Sequence, residues 1–395
     1  MYDLVVIGGG AAGIFAAIAA KQANSDAKVA LLEKSAVLLA KVRVSGGGRC
    51  NVTHACFDPS QLIQNYPRGS NELRGPFHRF QPKDTIHWFE VRGVALKTES
   101  DGRIFPVSNS SETIIDCLLS EAKKLGVEIF LRQRIEKISK TESGFEVGPF
   151  STRRLILATG SSLEGHKWAE QLGHSIQPPV PSLFTFNVPT SPLQSLSGIS
   201  VDSVELKLKG SSLSQKGPLL ITHFGFSGPA ALKLSAWGAR FLYEHAYKVE
   251  LMINWLPELT EPKIFETLIQ LKKSTPHKTL LSENVFRLPK NLWKTLLSDE
   301  KRLNDYSLKE LQAFAHKLHS DIYQVEGKTT HKEEFVTCGG ITLKEVNFKT
   351  MESKICSGLF FAGEILDIDG VTGGFNFQNA WTTGFIAGAS ASCFL

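Results

Sequence analysis

The sequence predicts an α/β fold built on a parallel sheet, interrupted by an inserted β-barrel or sandwich-like domain and a small helical subdomain. Three observations carry this expectation. A glycine turn joins an apolar run to an Ala-rich stretch at the start of the chain. Two further glycine clusters, at 46–48 and 373–374, stand far apart in sequence. Between residues 187 and 335 the pattern of the two ends gives way to alternating runs and then to helical spacing.

Residues 3–7 (DLVVI) read as a strand. Gly8, Gly10 and Gly13 follow as G-x-G-x-x-G, and AAGIFAAIAAKQ reads as a helix. Strand, glycine turn and helix together give the spacing its meaning. Gly8 permits the tight turn, Gly10 lets a diphosphate approach the backbone, and Gly13 lets helix and strand close together, as in a Rossmann-like unit. The helix start, with Ala11 and Ala12, offers free N–H groups and partial positive charge to phosphates. The next strand is KVALLEK, residues 28–34. It ends near Glu33, an acid placed to accept hydrogen bonds from an adenosine ribose. These residues specify a dinucleotide without choosing between NAD and FAD.

A simple NAD-binding chain would continue into its next strand. This one continues EKSAVLLAKVRVSGGGRCNVTH. Lys34, Lys41, Arg43 and Arg49 bring positive charge close to the phosphate site. Gly46, Gly47 and Gly48 let the backbone pass against a flat ligand without side-chain clash. Ser45, Asn51 and Thr53 supply hydroxyl and amide groups. A second backbone wrap suits FAD, whose diphosphate and ribityl chain extend past the first helix.

With these motifs the chain resembles the YhiN/BaiN-like flavoproteins, also described as aminoacetone-oxidase-like, within the two-dinucleotide-motif flavoprotein superfamily. The resemblance rests on GGGAAG, Glu33 and SGGGRCNVT. It extends to RGVALKTESDGRIFPVSNSS (92–111), ILATGSS (156–162), ITHFGFSGPA (221–230) and GLFFAGEILDIDGVTGGFNFQNAWTTGFIAG (358–388). Two positions depart from the family pattern: Leu39-Ala40 replaces a glycine-containing pair before Lys41, and ATGS replaces ATGG. The resemblance implies that the A-T-G turn (Ala158, Thr159, Gly160) approaches the adenine side of FAD, and that the backbone of Ile135 faces the adenine. At the C-terminal end, GLFFAGE reads as a strand ending in Gly363-Glu364. A loop with Asp367 and Asp369 follows, then Gly373-Gly374 and a helix with small residues on one face. Its first turn (Asn376, Phe377, Gln378) is counted with the cofactor site. Such a helix start favours negative charge on a reduced flavin.

These segments meet only if the FAD domain is discontinuous. The expected division is 1–186 with 336–395 for the FAD-binding domain, 187–258 with 319–335 for the inserted β domain, and 259–318 for the helical subdomain. LFTFNV, VELKLKG, GPLLITHFG, YKVELMINW, KLHSDIYQVEG and EEFVTCGG read as strands. TEPKIFETLIQLKK, PKNLWKTLLSD and SLKELQAFAHKL read as helices.

Composition narrows the function. Hydrophobic residues make up 42% and charged residues 21%, with a net charge of +5. No run of 18 apolar residues suggests a membrane span. The chain opens on a strand rather than a basic leader, and its six cysteines show no metal or C-x-x-C spacing, so a cytoplasmic protein without metal is expected. Lys and Arg are scattered, which does not argue for nucleic acid. GxSxG, HExxH, the C-x4-C redox pair and a second strand-flanked GxGxxG are all absent. The candidates for proton transfer or catalysis are His223 and Cys50. The expected activity is hydride transfer between flavin N5 and a small organic substrate, with NAD(P)H as a transient donor. The resemblance implies reduction of an activated C=C bond or oxidation of a small amine by oxygen; a flavoprotein that binds or modifies tRNA is the rival.

Overall fold

The computed structural model describes residues 1–297, 299–329 and 336–393. It divides into two compact units, Met1–Val180 with Lys332–Leu395, and Pro181–His331.

The first unit opens with β1 (Tyr2–Ile7), α1 (Ala11–Ala23), β2 (Val29–Leu32) and α2 (Ala40–Gly48). It continues with β3 (Glu128–Phe130), β4 (Phe150–Leu157) and α3 (Leu163–Gln171). The second unit holds β5 (Thr185–Asn187), β6 (Ser200–Leu208), β7 (Ser214–Ile221), β8 (Gly225–Ser227), β9 (Lys248–Asn254), β10 (Asp321–Glu326) and β11 (Lys328–Thr329). The chain then returns to the first unit with β12 (Val336–Ile341), β13 (Leu359–Phe361) and α4 (Phe375–Ser392).

The first unit contains the expected Rossmann-type sheet. β3, β2, β1, β4 and β13 lie side by side and all pair in parallel. β2 is buried throughout and β1 over its last four residues, as central strands covered on both faces must be. α1 is nearly all Ala, Ile and Phe, and most of it is buried. Its partner is α4. A side chain at Gly384 would come within 2.6 Å of the Ala12 carbonyl oxygen, and one at Gly388 would overlap that of Ala16. The small-residue face foreseen on α4 is thus what lets two helix backbones approach. A separate three-stranded antiparallel sheet joins Thr53–His54, Arg103–Pro106 and Leu96–Thr98.

The second unit is a seven-stranded antiparallel sheet in the order β10-β9-β6-β7-β8-β5-β11. β10 and β11 stand at opposite ends of that order, yet only Gly327 separates them in the chain. The sheet therefore curls back on itself, in the manner of a barrel. Helices at Glu261–Ser274, Lys290–Leu296 and Leu308–His319 share one apolar core with the strands: Ile264, Leu268, Trp293 and Leu311 belong to the same cluster as Leu206 and Ile253. Ser307 and Glu310 close a capping box at the start of the last helix. Among the described residues, no helix is long and apolar enough to cross a membrane.

Candidate cofactor site

The site is built where β1, β4 and β13 end. Gly8 takes φ +111, and a Cβ there would overlap the Ala158 carbonyl oxygen. A Cβ on Gly13 would overlap the Gly8 carbonyl oxygen, whereas one on Gly10 would meet nothing within 4 Å. Gly8 and Gly13 close the fold; Gly10 leaves the approach clear. α1 starts with no side-chain cap and no acid in its first turn, so the N–H groups of Ala11, Ala12 and Gly13 are available to an anion. Glu33 accepts the Gly9 N–H and the Ser35 N–H, each at 2.8 Å, which ties the acid to the glycine turn.

The second glycine segment begins inside a helix. α2 is helical to Val44, then breaks at Ser45 (ψ 147), and Gly46 and Gly47 take left-handed φ of +58 and +68. Gly48 continues at φ +81. A Cβ on Gly47 or Gly48 would meet nothing within 4 Å. Leu39, one of the two departures from the family pattern, caps α2 at φ +57 with its side chain buried. A left-handed cap explains a glycine preference there. Ser45 donates to the Val42 carbonyl at 2.9 Å and accepts the Cys50 N–H on its own carbonyl at 3.0 Å.

The four cations expected at the phosphates each hold a carboxylate. Lys34 meets Glu164 at 2.8 Å, Arg49 meets Glu99 at 2.7 Å, Lys41 pairs with Glu364, and Arg43 pairs with Glu112. Arg49 also lies over the Phe105 ring, 4.0 Å from its centroid. Cys50 is fully buried at φ +61, and burial pushes its thiol up to about 12. The thiolate that a nucleophile requires is therefore scarce at neutral pH.

The C-terminal segment reaches the same place. Gly363 takes φ +75, donates to the Thr383 hydroxyl at 2.9 Å, and would carry a Cβ 2.7 Å from that of Ala12. Gly373 and Gly374 take φ +129 and +92. With its amide oriented to satisfy its neighbours, Asn51 accepts the Gly374 N–H at 2.9 Å and donates to the Thr53 carbonyl at 2.9 Å. The Leu39 N–H donates to the Gly9 carbonyl at 2.9 Å. Leu39 before the second glycine segment is thus bonded to the first, and Asn51 after it is bonded to the third.

Several residues counted with the cofactor are also bonded within the protein. Asp369 is fully buried in an ion pair with Arg68. Asn376 closes a two-way bond with the Gly370 backbone, at 2.8 and 2.9 Å. Gln378 is buried, accepts from Thr53 and Thr85 at 2.6 and 2.9 Å, and donates to Thr382 at 3.0 Å. Phe377 stacks on Trp381. Ala158 donates to the Ile7 carbonyl at 2.9 Å, and Gly160 takes φ +59. The Thr159 hydroxyl is buried against Gly165 without a partner. Ile135 lies in an irregular stretch beyond β3, and its side chain is buried near Gly148. His223, the other candidate for proton transfer, belongs to the second unit. It stands exposed in the tight turn between β7 and β8, where Thr222 Oγ1 accepts the N–H groups of Phe224 and Gly225.

A family model described as HI0933-like protein Rossmann domain matches residues 2–390. The chain belongs to the HI0933-like family. It is 29% identical to the 3-dehydro-bile acid delta(4,6)-reductase of Clostridium scindens, over 99% of both chains. It is 31% identical to the ribosomal RNA dihydrouridine synthase of Escherichia coli, over 97% of this chain and 96% of that one. Among solved structures it is similar to the 3-ketosteroid-delta4-(5alpha)-dehydrogenase of Rhodococcus jostii RHA1, with a TM-score of 0.50 and 14% identity over 98% and 96% of the two chains, a likeness of fold.

The HI0933-like site also uses residues that sequence reading did not single out. Arg68 neutralises Asp369. Tyr66 donates to the Phe375 carbonyl at 2.7 Å, and His54 stacks on Phe375 at 4.7 Å. Each partner lies some 300 residues away in the chain, so no local pattern signals the pair.

Proposed function

We propose that this protein is an FAD-dependent oxidoreductase that saturates a carbon–carbon double bond conjugated to a carbonyl group, with NADH or NADPH as the electron donor. The observation that carries the reading is that three glycine segments, 8–13, 46–48 and 373–374, lie in one compact unit, the second held to the first through Leu39 and to the third through Asn51. The residues fit FAD. The start of α1 has no side-chain cap, and a Cβ on Gly10, Gly47 or Gly48 would meet nothing within 4 Å, so bare main chain is offered in both segments.

In this reading the first turn of α1 holds the diphosphate, and Glu33 accepts from the ribose with its remaining lone pairs. The start of α4 lies toward the ring, where its dipole favours negative charge. Bound FAD supplies the hydride chemistry, which no side chain can supply. Cys50 stays a neutral thiol and shapes the backbone.

The names of the relatives support the substrate class. A bile acid delta(4,6)-reductase and a dihydrouridine synthase both add hydrogen across a ring double bond. A small enone and a uracil ring in RNA are therefore two forms of one chemistry. The RNA form is favoured by the second relative, 31% identical over almost its whole length. The test is anaerobic. NADH or NADPH is expected to bleach the yellow protein, and a 4-en-3-one steroid or ribosomal RNA to restore the colour. Dihydrouridine measured by mass spectrometry identifies the RNA form. Failure of both nicotinamides to bleach the flavin rejects the reductase, and oxygen uptake driven by a small amine replaces it with an oxidase.

A further inference from the structure

Three separate stretches of the second unit bring aromatic rings and a lysine together. Tyr243 and Tyr247 meet edge to face with centroids 6.3 Å apart, and Phe184 meets Tyr247 in the same manner at 5.5 Å. Lys328, in β11, holds its Nζ 5.0 Å from the Tyr247 centroid and 5.9 Å from that of Phe184. Tyr243 and Lys328 are thus both neighbours of one ring, although they lie far apart in the chain. Phe184 is buried, Tyr247 is half-buried, and Tyr243 is 54% exposed.

Two features set this cluster apart from ordinary packing. Ala246 and Tyr247 take left-handed φ of +51 and +58 in succession, between the helix Ala239–Glu244 and β9. Neither is glycine, and other residues enter that region only at a cost. The fold bonds Tyr247 on both sides: its N–H donates to the Leu242 carbonyl at 2.7 Å, and its carbonyl accepts the Gly327 N–H at 3.0 Å. Strained backbone of this kind clusters at ligand sites. The second feature is the lysine. Burial lowers its pKa, and among the described residues no carboxylate forms an ion pair with it. A half-buried cation without an acid leaves its charge uncompensated. Lys248, next to Tyr247, stands opposite Glu326 in the strand register, so the demand for an anion falls on Lys328.

We propose that Tyr243 and Lys328 form a binding site for single-stranded RNA, with an unpaired base stacked on the exposed Tyr243 ring and a neighbouring phosphate at the Lys328 ammonium. An aromatic face beside a cation is what holds strands with open bases, because every base has a π-face and every linkage a negative charge. A duplex keeps its base faces stacked within itself. The inference deepens the RNA form of the proposed function and rests on it: the second unit takes hold of the strand.

The experiment measures fluorescence anisotropy of a labelled oligouridylate of about twelve nucleotides with the full-length holoprotein, between about 50 and 200 mM salt. Y243A is expected to raise the dissociation constant about tenfold, within the range of one lost stack. Y243F, which keeps the ring, is expected to stay within about twofold of wild type. K328Q is expected to weaken binding and to reduce the salt slope by about 0.7, the share of one phosphate on a single strand. K263Q, which removes an exposed charge on the helix Glu261–Ser274, is expected to leave affinity unchanged. Circular dichroism checks each fold, and K328M replaces K328Q where that variant misfolds. Y243A or K328Q binding like wild type overturns the inference and leaves the RNA reading standing. Equal affinity for a duplex of the same length overturns it as well, because paired bases cannot stack on Tyr243. Wild type that does not bind the strand at about 50 mM salt removes the RNA form together with the inference, while the steroid arm of the flavin assay still reports on the reductase.

Discussion

At Cys50 a reactive residue type is made inert by its position. The side chain is buried, burial holds the thiol up to about 12, and the backbone sits at φ +61. Its contribution is to the turn that follows Gly48. Cys50→Ala is expected to keep flavin content and turnover within about twofold, since thiolate chemistry needs a lowered pKa and access. Iodoacetamide is expected to leave native Cys50 unlabelled. Loss of turnover with flavin retained would restore the catalytic reading. Asp369 makes the complementary case. It looks like a ligand in sequence, but it is buried against Arg68. Removing one partner of a buried pair leaves the other charge stranded, so Asp369→Ala is expected to cost about 3–5 kcal/mol in urea unfolding. Arg68→Leu added to it should recover part of that loss. A cost below about 1 kcal/mol for the single variant would mean that the pair does not hold the loop.

At the scale of elements, the contact that positions the site is α1 on α4. α1 presents its first turn to the cofactor cradle, and α4 lies against it through Gly384 and Gly388. Each glycine is needed because the facing backbone leaves no room for a methyl group. Gly388→Val is expected to force the helices apart and destabilise by about 1–3 kcal/mol or more, the usual cost of overpacking. Thermal unfolding measures this, and flavin content should fall in parallel because the start of α1 moves. An unchanged melting temperature would show that the helices tolerate separation. The small-residue stripe of α4 was readable from spacing. The break inside α2 was readable only as glycine content. The left-handed angles at Gly46 and Gly47 reverse the chain within the last turn of a helix.

At the scale of the molecule, stability should depend on pH through buried histidines. His174 is buried, donates from Nδ1 to the Glu345 carboxylate (3.1 Å) and pairs through Nε2 with the Ser353 hydroxyl (2.9 Å), and burial holds its pKa below the ordinary value. Burial lowers that of His166 too. A histidine with a depressed folded pKa binds its proton more readily when unfolded. Its contribution is complete above about pH 6.5 and is lost as pH falls from there toward the folded value. The melting temperature is therefore expected to fall between pH 7 and 5, and His174→Gln should flatten part of that slope. An identical slope in the variant would assign the fall to other groups.

The sequence alone determined the parallel sheet, the strand–glycine turn–helix at its start and the family, because these depend on local periodicity and on glycine at fixed offsets. Tertiary structure decided which polar residues are bonded to one another within the protein. Asp369, Asn376 and Gln378 satisfy partners within the fold, and Lys41 and Arg49 hold carboxylates. Those pairings join positions up to 323 residues apart. The physical reason is that a hydrogen bond or ion pair is decided by distance in space, while a sequence pattern records only distance along the chain.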